Sequence, residues 1–125
     1  MKIHESAENY IETIYMLKRR QGEVRSIDIA NELDFSKPSV SVAMKNLREN
    51  GFIEVDGAGF ISLTGAGLEI AERMYERHTL LTAFLTSLGV TPEVASEDAC
   101  RIEHVISGES FDAIKDFTVK NQRDE

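Results

Sequence analysis

Cysteine, long apolar runs and positive charge are all scarce in this chain of 125 residues. The single cysteine, Cys100, excludes an internal disulfide and leaves its thiol available as a ligand. Because no apolar run is long enough for a signal peptide or a membrane span, we expect a cytoplasmic protein with no membrane partner. The hydrophobic content of 42% still suffices for a globular fold without covalent cross-links.

The shortage of positive charge at first argues against a nucleic-acid partner, because phosphate groups favour basic surfaces. The net charge is −8, but it is unevenly distributed. Residues 1–60 carry 8 Lys and Arg against 10 Asp and Glu, whereas residues 61–125 carry 6 against 12. The acidity therefore lies mainly in the second half, which suits a cationic ligand and leaves the first half compatible with DNA.

The first half of the chain has the pattern of a winged helix-turn-helix. Apolar residues at helical spacing predict three helices, at 7–20, 26–33 and 37–50. Two β-type runs, at 52–55 and 60–63, flank a glycine-containing turn and predict a β-hairpin directly after the third helix. Helices joined by a tight turn and followed by a hairpin are typical of proteins that insert one helix into the major groove of DNA.

Local signals mark the starts of the second and third helices. Ser26 and Ser36 are the expected N-caps, and Pro38 in the first turn and Gly51 after the last turn delimit the third helix. The predicted core stripe of that helix consists of Val40, Met44 and Leu47. Its polar residues, which we expect to face outwards, are Lys37, Ser39, Ser41, Lys45 and Arg48.

Hydroxyl and amine side chains near a helix N-terminus can bind phosphates and base edges. The predicted DNA-binding residues are Arg25, Ser36, Lys37, Pro38, Ser39, Ser41 and Lys45. Any one of them is more simply explained as a solvated polar side chain, and a winged helix can also serve as a protein-binding module. The combination of turn, helix start and hairpin favours DNA binding.

The second half of the chain is predicted to be entirely helical. An amphipathic pattern runs through 64–88, a second helix begins at Pro92 and ends at Ser107 and Gly108, and a third spans 110–119 before a frayed tail from Lys120. The predicted fold is mainly α, with a winged helix-turn-helix DNA-binding domain at 1–63 and a helical metal-binding and dimerisation domain at 64–125.

Three metal-ligand residue types lie close together near the end of the second of these helices. Cys100, Glu103 and His104 are spaced i, i+3 and i+4, which places them on one helix face. Taken singly, a cysteine is more often a small buried apolar residue, and Glu and His a surface pair. Together, sulfur, nitrogen and oxygen donors suit Fe²⁺, Mn²⁺, Zn²⁺, Co²⁺ or Ni²⁺ better than calcium or magnesium.

Other candidate ligands are separated from this cluster in the sequence. Asn9 and Glu12 share a face of the first helix, and His78 lies near the middle of the long helix. These segments could close around one or two ions. A metal site that joins the two domains would restrict the distance between recognition helices in a two-fold dimer, which must match DNA half-sites about 34 Å apart.

Several motifs resemble the diphtheria toxin repressor family, which includes iron-dependent regulators and the manganese transport regulator. They are the Ala7–Tyr15 stretch, the turn-helix start Ser36–Ser41, Leu63-Thr64-x-x-Gly67, Arg77-His78 and Ala99–His104. The resemblance covers nearly the whole chain. The resemblance leads us to expect the short, manganese-type form, without the SH3-like third domain of the longer members.

The resemblance implies a ligand set and several departures from it. The implied ligands are Asn9, Glu12, His78, Cys100, Glu103 and His104. The family usually has aspartate or methionine at the position of Asn9, so a neutral amide weakens or alters the site there. Cys100 is similar to iron-type members and Glu12 to manganese-type members. Thr82 and Ser96 replace two ancillary ligands of the iron-type proteins, so an iron-type ancillary site is not expected.

One further departure lies on the third helix. Val42 occupies a position where relatives often have a polar residue that reaches DNA. We therefore expect base readout to depend more on DNA shape and backbone contacts.

The function predicted from the sequence is that of a metal-dependent repressor. It would form a homodimer, bind double-stranded operator DNA, sense Fe²⁺ or Mn²⁺ and control metal-homeostasis genes, with no enzymatic activity and no small organic substrate. The alternative is a winged-helix redox sensor in which Cys100 is oxidised. A metallohydrolase or a nucleophilic Cys100 with His104 explains less of the chain, because no substrate loop, separate base or oxyanion donor is recognisable.

Overall fold

The computed structural model describes residues 5–123, which form helices and one small sheet. The elements in chain order are α1 (Glu5–Gln21), α2 (Ser26–Leu33), α3 (Lys37–Glu49), β1 (Ile53–Val55), β2 (Ile61–Leu63), α4 (Gly65–Ser87), α5 (Pro92–Ile102) and α6 (Gly108–Arg123). The chain divides into two compact units, Met1–Glu72 and Arg73–Glu125. The boundary between the units lies within α4, and a domain boundary at 63/64 remains a prediction. The mainly α fold class is confirmed.

The first unit is a winged helix-turn-helix built around one apolar cluster. Its fully or almost fully buried members come from α1, α2, α3, both strands and the start of α4. The predicted core stripe of α3 is confirmed, because Val40, Met44 and Leu47 are all buried. The spacing of these three residues places one face of α3 against the cluster and leaves the opposite face in solvent.

The structure confirms the predicted N-cap of α3 and corrects the predicted N-cap of α2. The Ser36 hydroxyl accepts a hydrogen bond from the Ser39 backbone N–H at 3.3 Å, as expected of an N-cap. The N-cap of α2 is Arg25, and Ser26 is the first helical residue, so the prediction for Ser26 is wrong. The Asp28 carboxylate accepts from the Arg25 backbone N–H at 2.8 Å, and the Arg25 carbonyl accepts from the Asp28 N–H at 3.0 Å.

A short turn joins the two strands of the predicted wing. β1 and β2 pair antiparallel, with Ile53 opposite Leu63. One carboxylate oxygen of Asp56, Oδ1, accepts from the backbone N–H groups of Ala58 and Phe60, each at 2.9 Å. This carboxylate satisfies donors that the turn would otherwise leave exposed, so the hairpin is stabilised locally.

The start of α4 packs closely on the segment between α3 and β1. The Thr64 hydroxyl donates to the Gly51 carbonyl at 2.6 Å and accepts from the Gly67 N–H at 3.2 Å. A Cβ atom at Gly67 would lie 2.1 Å from the Phe52 carbonyl oxygen, a distance that no side chain tolerates. Glycine is therefore required at position 67 for the helix to approach this backbone.

The second unit consists of the later part of α4 with α5 and α6. Its buried apolar residues are Met74, Leu81, Ala95, Ala99 and Phe111. The prediction that α5 continues to Ser107 is wrong, because it ends at Ile102 and both Val105 and Ile106 donate to the Ile102 carbonyl in a tight turn. The last helix is longer than the predicted 110–119 and extends past Lys120.

The lengths and hydropathy of the helices also bear on membrane insertion. Among residues 5–123, no helix combines the length and apolar character that crossing a bilayer requires.

Candidate functional site

A buried carboxylate lies at the centre of the ligand cluster in the second unit. Glu103 has no solvent-exposed surface. Its Oε2 atom lies 3.0 Å from Nδ1 of His78 on α4, and its Oε1 atom lies 3.4 Å from Nε2 of His104. A carboxylate between two imidazoles is an arrangement in which all three side chains can turn their lone pairs towards one cation.

A sulfur donor completes the cluster on the α5 side. Ligand atoms of Cys100, Glu103 and His104 all lie within 4.8 Å of one another, and Cys100 is partly exposed. Thiolate, carboxylate and imidazole groups at this separation suit a first-row transition ion. The residues present therefore fit the metal that the sequence predicts.

The three clustered residues do not share a regular helix, contrary to the prediction. Cys100 is in the last turn of α5, whereas Glu103 is the C-cap and His104 follows in the turn. The backbone of Glu103 keeps helical dihedral angles, φ −58° and ψ −27°, and its N–H donates to the Ala99 carbonyl at 2.9 Å. This extra turn of near-helical backbone preserves the i, i+3 and i+4 spacing.

Arg77, next to His78 on α4, supports the ligand-bearing turn. Its Nη1 donates to the backbone carbonyls of Glu103 at 3.0 Å and Ile106 at 3.1 Å. The guanidinium also lies over the ring of Phe111, 5.4 Å from its centroid. These carbonyls follow the end of a helix, where they lack intrahelical donors, so the arginine both satisfies them and holds Glu103 in place.

One hydroxyl group contacts the His78 ring and another its backbone. The Ser96 Oγ lies 3.4 Å from His78 Nε2, and the Thr82 hydroxyl donates to the His78 carbonyl at 2.7 Å. A carboxylate at Nδ1 and a hydroxyl at Nε2 together fix the orientation of the ring. Thr82 and Ser96 are the positions at which the sequence predicted the loss of ancillary ligands, and both now contact the histidine.

The two remaining predicted ligands, Asn9 and Glu12, lie on α1 in the first unit. Glu12 is buried and Asn9 is partly exposed. The Asn9 backbone carbonyl accepts from the Thr13 hydroxyl at 2.8 Å. Their spacing of three residues places both on one face of α1, as predicted.

The predicted DNA-binding residues lie at the exposed end of the helix-turn-helix. Those on α3 and its cap are all solvent-exposed: Ser36, Lys37, Pro38, Ser39, Ser41 and Lys45. The Ser36 hydroxyl also donates to the Ser39 hydroxyl at 2.8 Å. Arg25 lies over the ring of Phe60, with 4.4 Å between its guanidinium carbon and the ring centroid. This contact places the exposed Arg25 side chain beside the wing.

Sequence reasoning did not assign roles to Arg77 and Ser96 in this site. Arg77 is 26 residues from Glu103, and Ser96 is 18 residues from His78. Contacts at such separations leave no periodic signal in the sequence. The hints for Arg77 were its position beside a predicted ligand and its place in the Arg77-His78 motif that resembles the family.

Two family models match consecutive parts of the chain. Residues 2–59 match the N-terminal DNA-binding domain of the iron-dependent repressors. Residues 64–125 match the metal-binding and dimerisation domain of the same proteins. Helices α1, α2 and α3 and strand β1 fall in the first match, and the ligand cluster described above falls in the second.

Relatives and solved structures agree with these matches. The chain is 39% identical over 94% of its length to the transcriptional regulator MntR of Escherichia coli O6:H1, covering 76% of that protein. It is 37% identical to MntR of Listeria monocytogenes serotype 4a over 89% of the chain and 78% of the relative.

Among solved structures, the manganese regulator SloR has a TM-score of 0.78 and 28% identity over 94% of this chain. A manganese-dependent transcriptional repressor solved with manganese has a TM-score of 0.82 and 26% identity over 90% of the chain. The chain spans about half of these two proteins, 54% and 52%. By its sequence matches and its fold, the chain belongs to the diphtheria toxin repressor family of iron- and manganese-dependent regulators.

Proposed function

We propose that this protein is a metal-dependent repressor that binds operator DNA as a homodimer when a divalent transition ion is present. Its exposed helix α3 would bind in the major groove, and its second unit would hold the ion and mediate dimerisation. Family membership and the matched domains support this function. The observation that carries it is the fully buried Glu103 carboxylate, 3.0 Å from His78 and near Cys100 and His104.

The proposed ion is Mn²⁺ or Fe²⁺. Carboxylate and imidazole donors suit both, whereas the thiol of Cys100 shifts the preference towards softer ions. Solved relatives include a manganese-activated repressor, ScaR, whose structures also hold Zn²⁺ and Cd²⁺. We therefore expect several divalent ions to bind in vitro, and the physiological ion to be distinguished by how strongly it promotes DNA binding.

The proposed ligands in the second unit are His78, Cys100, Glu103 and His104. Asn9 and Glu12 are proposed as further ligands because the family resemblance implies them. A bound divalent ion would supply positive charge where the carboxylates concentrate negative charge. The proposed DNA contacts are those predicted from the sequence: Arg25, Ser36, Lys37, Pro38, Ser39, Ser41 and Lys45.

The energy needed for such control is small. A coupling free energy of about 1–3 kcal/mol between metal and DNA corresponds to a 5- to 150-fold change in affinity. Linkage requires the effect to be mutual, so the operator must tighten metal binding by the factor by which metal tightens operator binding. Equal metal affinities with and without the operator would contradict the proposal.

The test is an anaerobic selection of duplexes from a random DNA library. The protein would be loaded separately with Mn²⁺, Fe²⁺, Zn²⁺, Co²⁺ or Ni²⁺, and a parallel selection would contain a chelator. We expect a two-fold symmetric sequence to be enriched only with metal. Failure of every ion to enrich a sequence would overturn the proposed function.

Two variants connect this binding to the cluster. Glu103→Gln keeps the shape of the side chain but removes its charge, and should lower metal affinity and metal-dependent DNA binding together. Glu97→Gln is the matched control, because Glu97 is an exposed carboxylate of α5, the helix that Glu103 caps. Equal losses of metal affinity in the two variants would contradict the role assigned to Glu103.

Cys100→Ser separates metal sensing from thiol oxidation. We expect this variant to bind metal more weakly, because a hydroxyl is a poorer ligand than a thiolate for soft ions. Operator binding would be measured with metal and, separately, after peroxide treatment. Loss of a peroxide response with no change in the metal response would favour the redox sensor.

A further inference from the structure

Val42 is a large apolar side chain on the outward face of α3. Its relative exposure is 61%. At about 100° per residue, it lies about 200° around the helix from the buried Val40. Val42 is therefore on the opposite side of α3 from the core.

Folding does not account for a valine at this position. A β-branched residue is a weaker helix former than alanine, lysine or glutamine, and this side chain is not part of the apolar cluster of the first unit. Of its neighbours one turn away, Ser39, Lys45 and Asn46 are exposed and polar, whereas Pro38 is exposed and apolar. Val42 and Pro38 thus form a small apolar patch in an otherwise hydrophilic surface.

Positive charges lie along one flank of α3, beside this surface. Lys37, Lys45 and Arg48 are exposed on α3. Such side chains favour the DNA backbone and would bring the outward face of the helix to the base edges. The Val42 isopropyl group can neither donate nor accept a hydrogen bond. On the major-groove edges of the bases, the group that offers an apolar contact is the 5-methyl of thymine.

We propose that Val42 is a specificity-determining residue that contacts a thymine methyl group in each half of the operator. This inference rests on the proposed function. It adds a direct apolar contact to the readout through DNA shape and backbone contacts that the sequence led us to expect. Discrimination arises because binding buries the two apolar groups together, and cytosine or uracil at that position leaves the valine without its partner.

The experiment begins with the metal-loaded, full-length protein and the duplex enriched in the selection above. The thymines in one half of the duplex are replaced by deoxyuridine one at a time. The symmetry-related thymine in the other half is replaced in the same duplex. This change removes only the methyl groups. We expect one replacement to weaken binding roughly fourfold per methyl group, and thus about 15-fold for the symmetric pair.

A double-mutant cycle tests whether Val42 is the residue that contacts the methyl group. Val42→Ala should bind the original duplex about as weakly as the native protein binds the uracil duplex, and should lose little more on the uracil duplex. Because the site is exposed and alanine favours helices, this variant should be at least as thermally stable as the native protein. Ile27→Ala is the control, since Ile27 is an exposed apolar residue of α2 with 40% exposure.

The possible outcomes separate this inference from the proposed function. A uracil effect that is present in the native protein and in Ile27→Ala but absent in Val42→Ala supports the contact. Enrichment of a metal-dependent operator with no uracil effect, or with an equal effect in Val42→Ala, overturns the contact alone. Failure to enrich any operator overturns the proposed function and this inference with it.

Discussion

Replacing Arg77 with methionine tests whether Arg77, which is not a proposed metal ligand, positions Glu103, which is one. Methionine approximates the length of the arginine stem but removes the donors to the carbonyls of Glu103 and Ile106 and the stacking on Phe111. A hydrogen bond from a charged donor contributes about 1.5–3 kcal/mol. Because one nitrogen makes both bonds, we expect the metal-free protein to lose about 2–3 kcal/mol of folding free energy.

The loss in metal affinity has its own magnitude. Removing a residue that orients a ligand typically costs 10- to 100-fold in metal affinity, about 1.4–2.7 kcal/mol. Electrostatics alone predicts the opposite sign, because removing a positive charge near a cation site favours the cation. Weaker metal binding in Arg77→Met would therefore report lost positioning and not lost charge.

The assay is a Co²⁺ titration in competition with a chelator. The thiolate-to-cobalt absorption reports whether Cys100 is still a ligand, and thermal unfolding without metal reports stability separately. Arg101→Met is the matched control, since Arg101 is an exposed neighbour of Cys100. Arg77→Lys, which restores one donor, should recover part of the affinity. Native Co²⁺ affinity in Arg77→Met despite reduced stability would refute the positioning role.

Three further predictions concern the first unit. Gly67→Ala should destabilise the protein by at least about 1–3 kcal/mol, whereas Gly65→Ala, with open space around its Cβ, should not; equal urea midpoints would contradict this. Asp34 has left-handed dihedral angles, φ 56° and ψ 43°, so Asp34→Gly should raise stability by about 0.5–1 kcal/mol, and a lower urea midpoint would disprove the strain. The hydrogen bond from Arg20 lowers the pKa of Glu32 in the folded protein. The ion pair therefore stabilises the fold at pH values above the pKa of Glu32 in the unfolded chain, and this stabilisation is lost as the pH falls through the lowered pKa of the folded state. Because both side chains are largely exposed, Glu32→Gln should be slightly destabilising at neutral pH and indistinguishable from native in strong acid, and a large salt-independent loss would contradict this.

Much of the first unit could be predicted because its signals are local. The cap at Ser36, the proline that follows it and the turn at Asp56 act through hydrogen bonds within four residues. The spacing of buried residues on α3 likewise depends only on helix geometry. The error at Ser26 is also local, since the Asp28 carboxylate binds the Arg25 backbone N–H and the N-cap lies one residue earlier than expected.

The sequence by itself determined the kinds of ligand in the second unit and placed three of them within five residues. Residues one helical turn apart stay neighbours whether the backbone is a regular helix or the tighter turn that follows Ile102. Only the tertiary structure brought His78 to Glu103 and added Arg77 and Ser96 around them. Such contacts depend on how α4 and α5 pack, and packing is set by the shapes of many side chains together, so no spacing within the sequence encodes it.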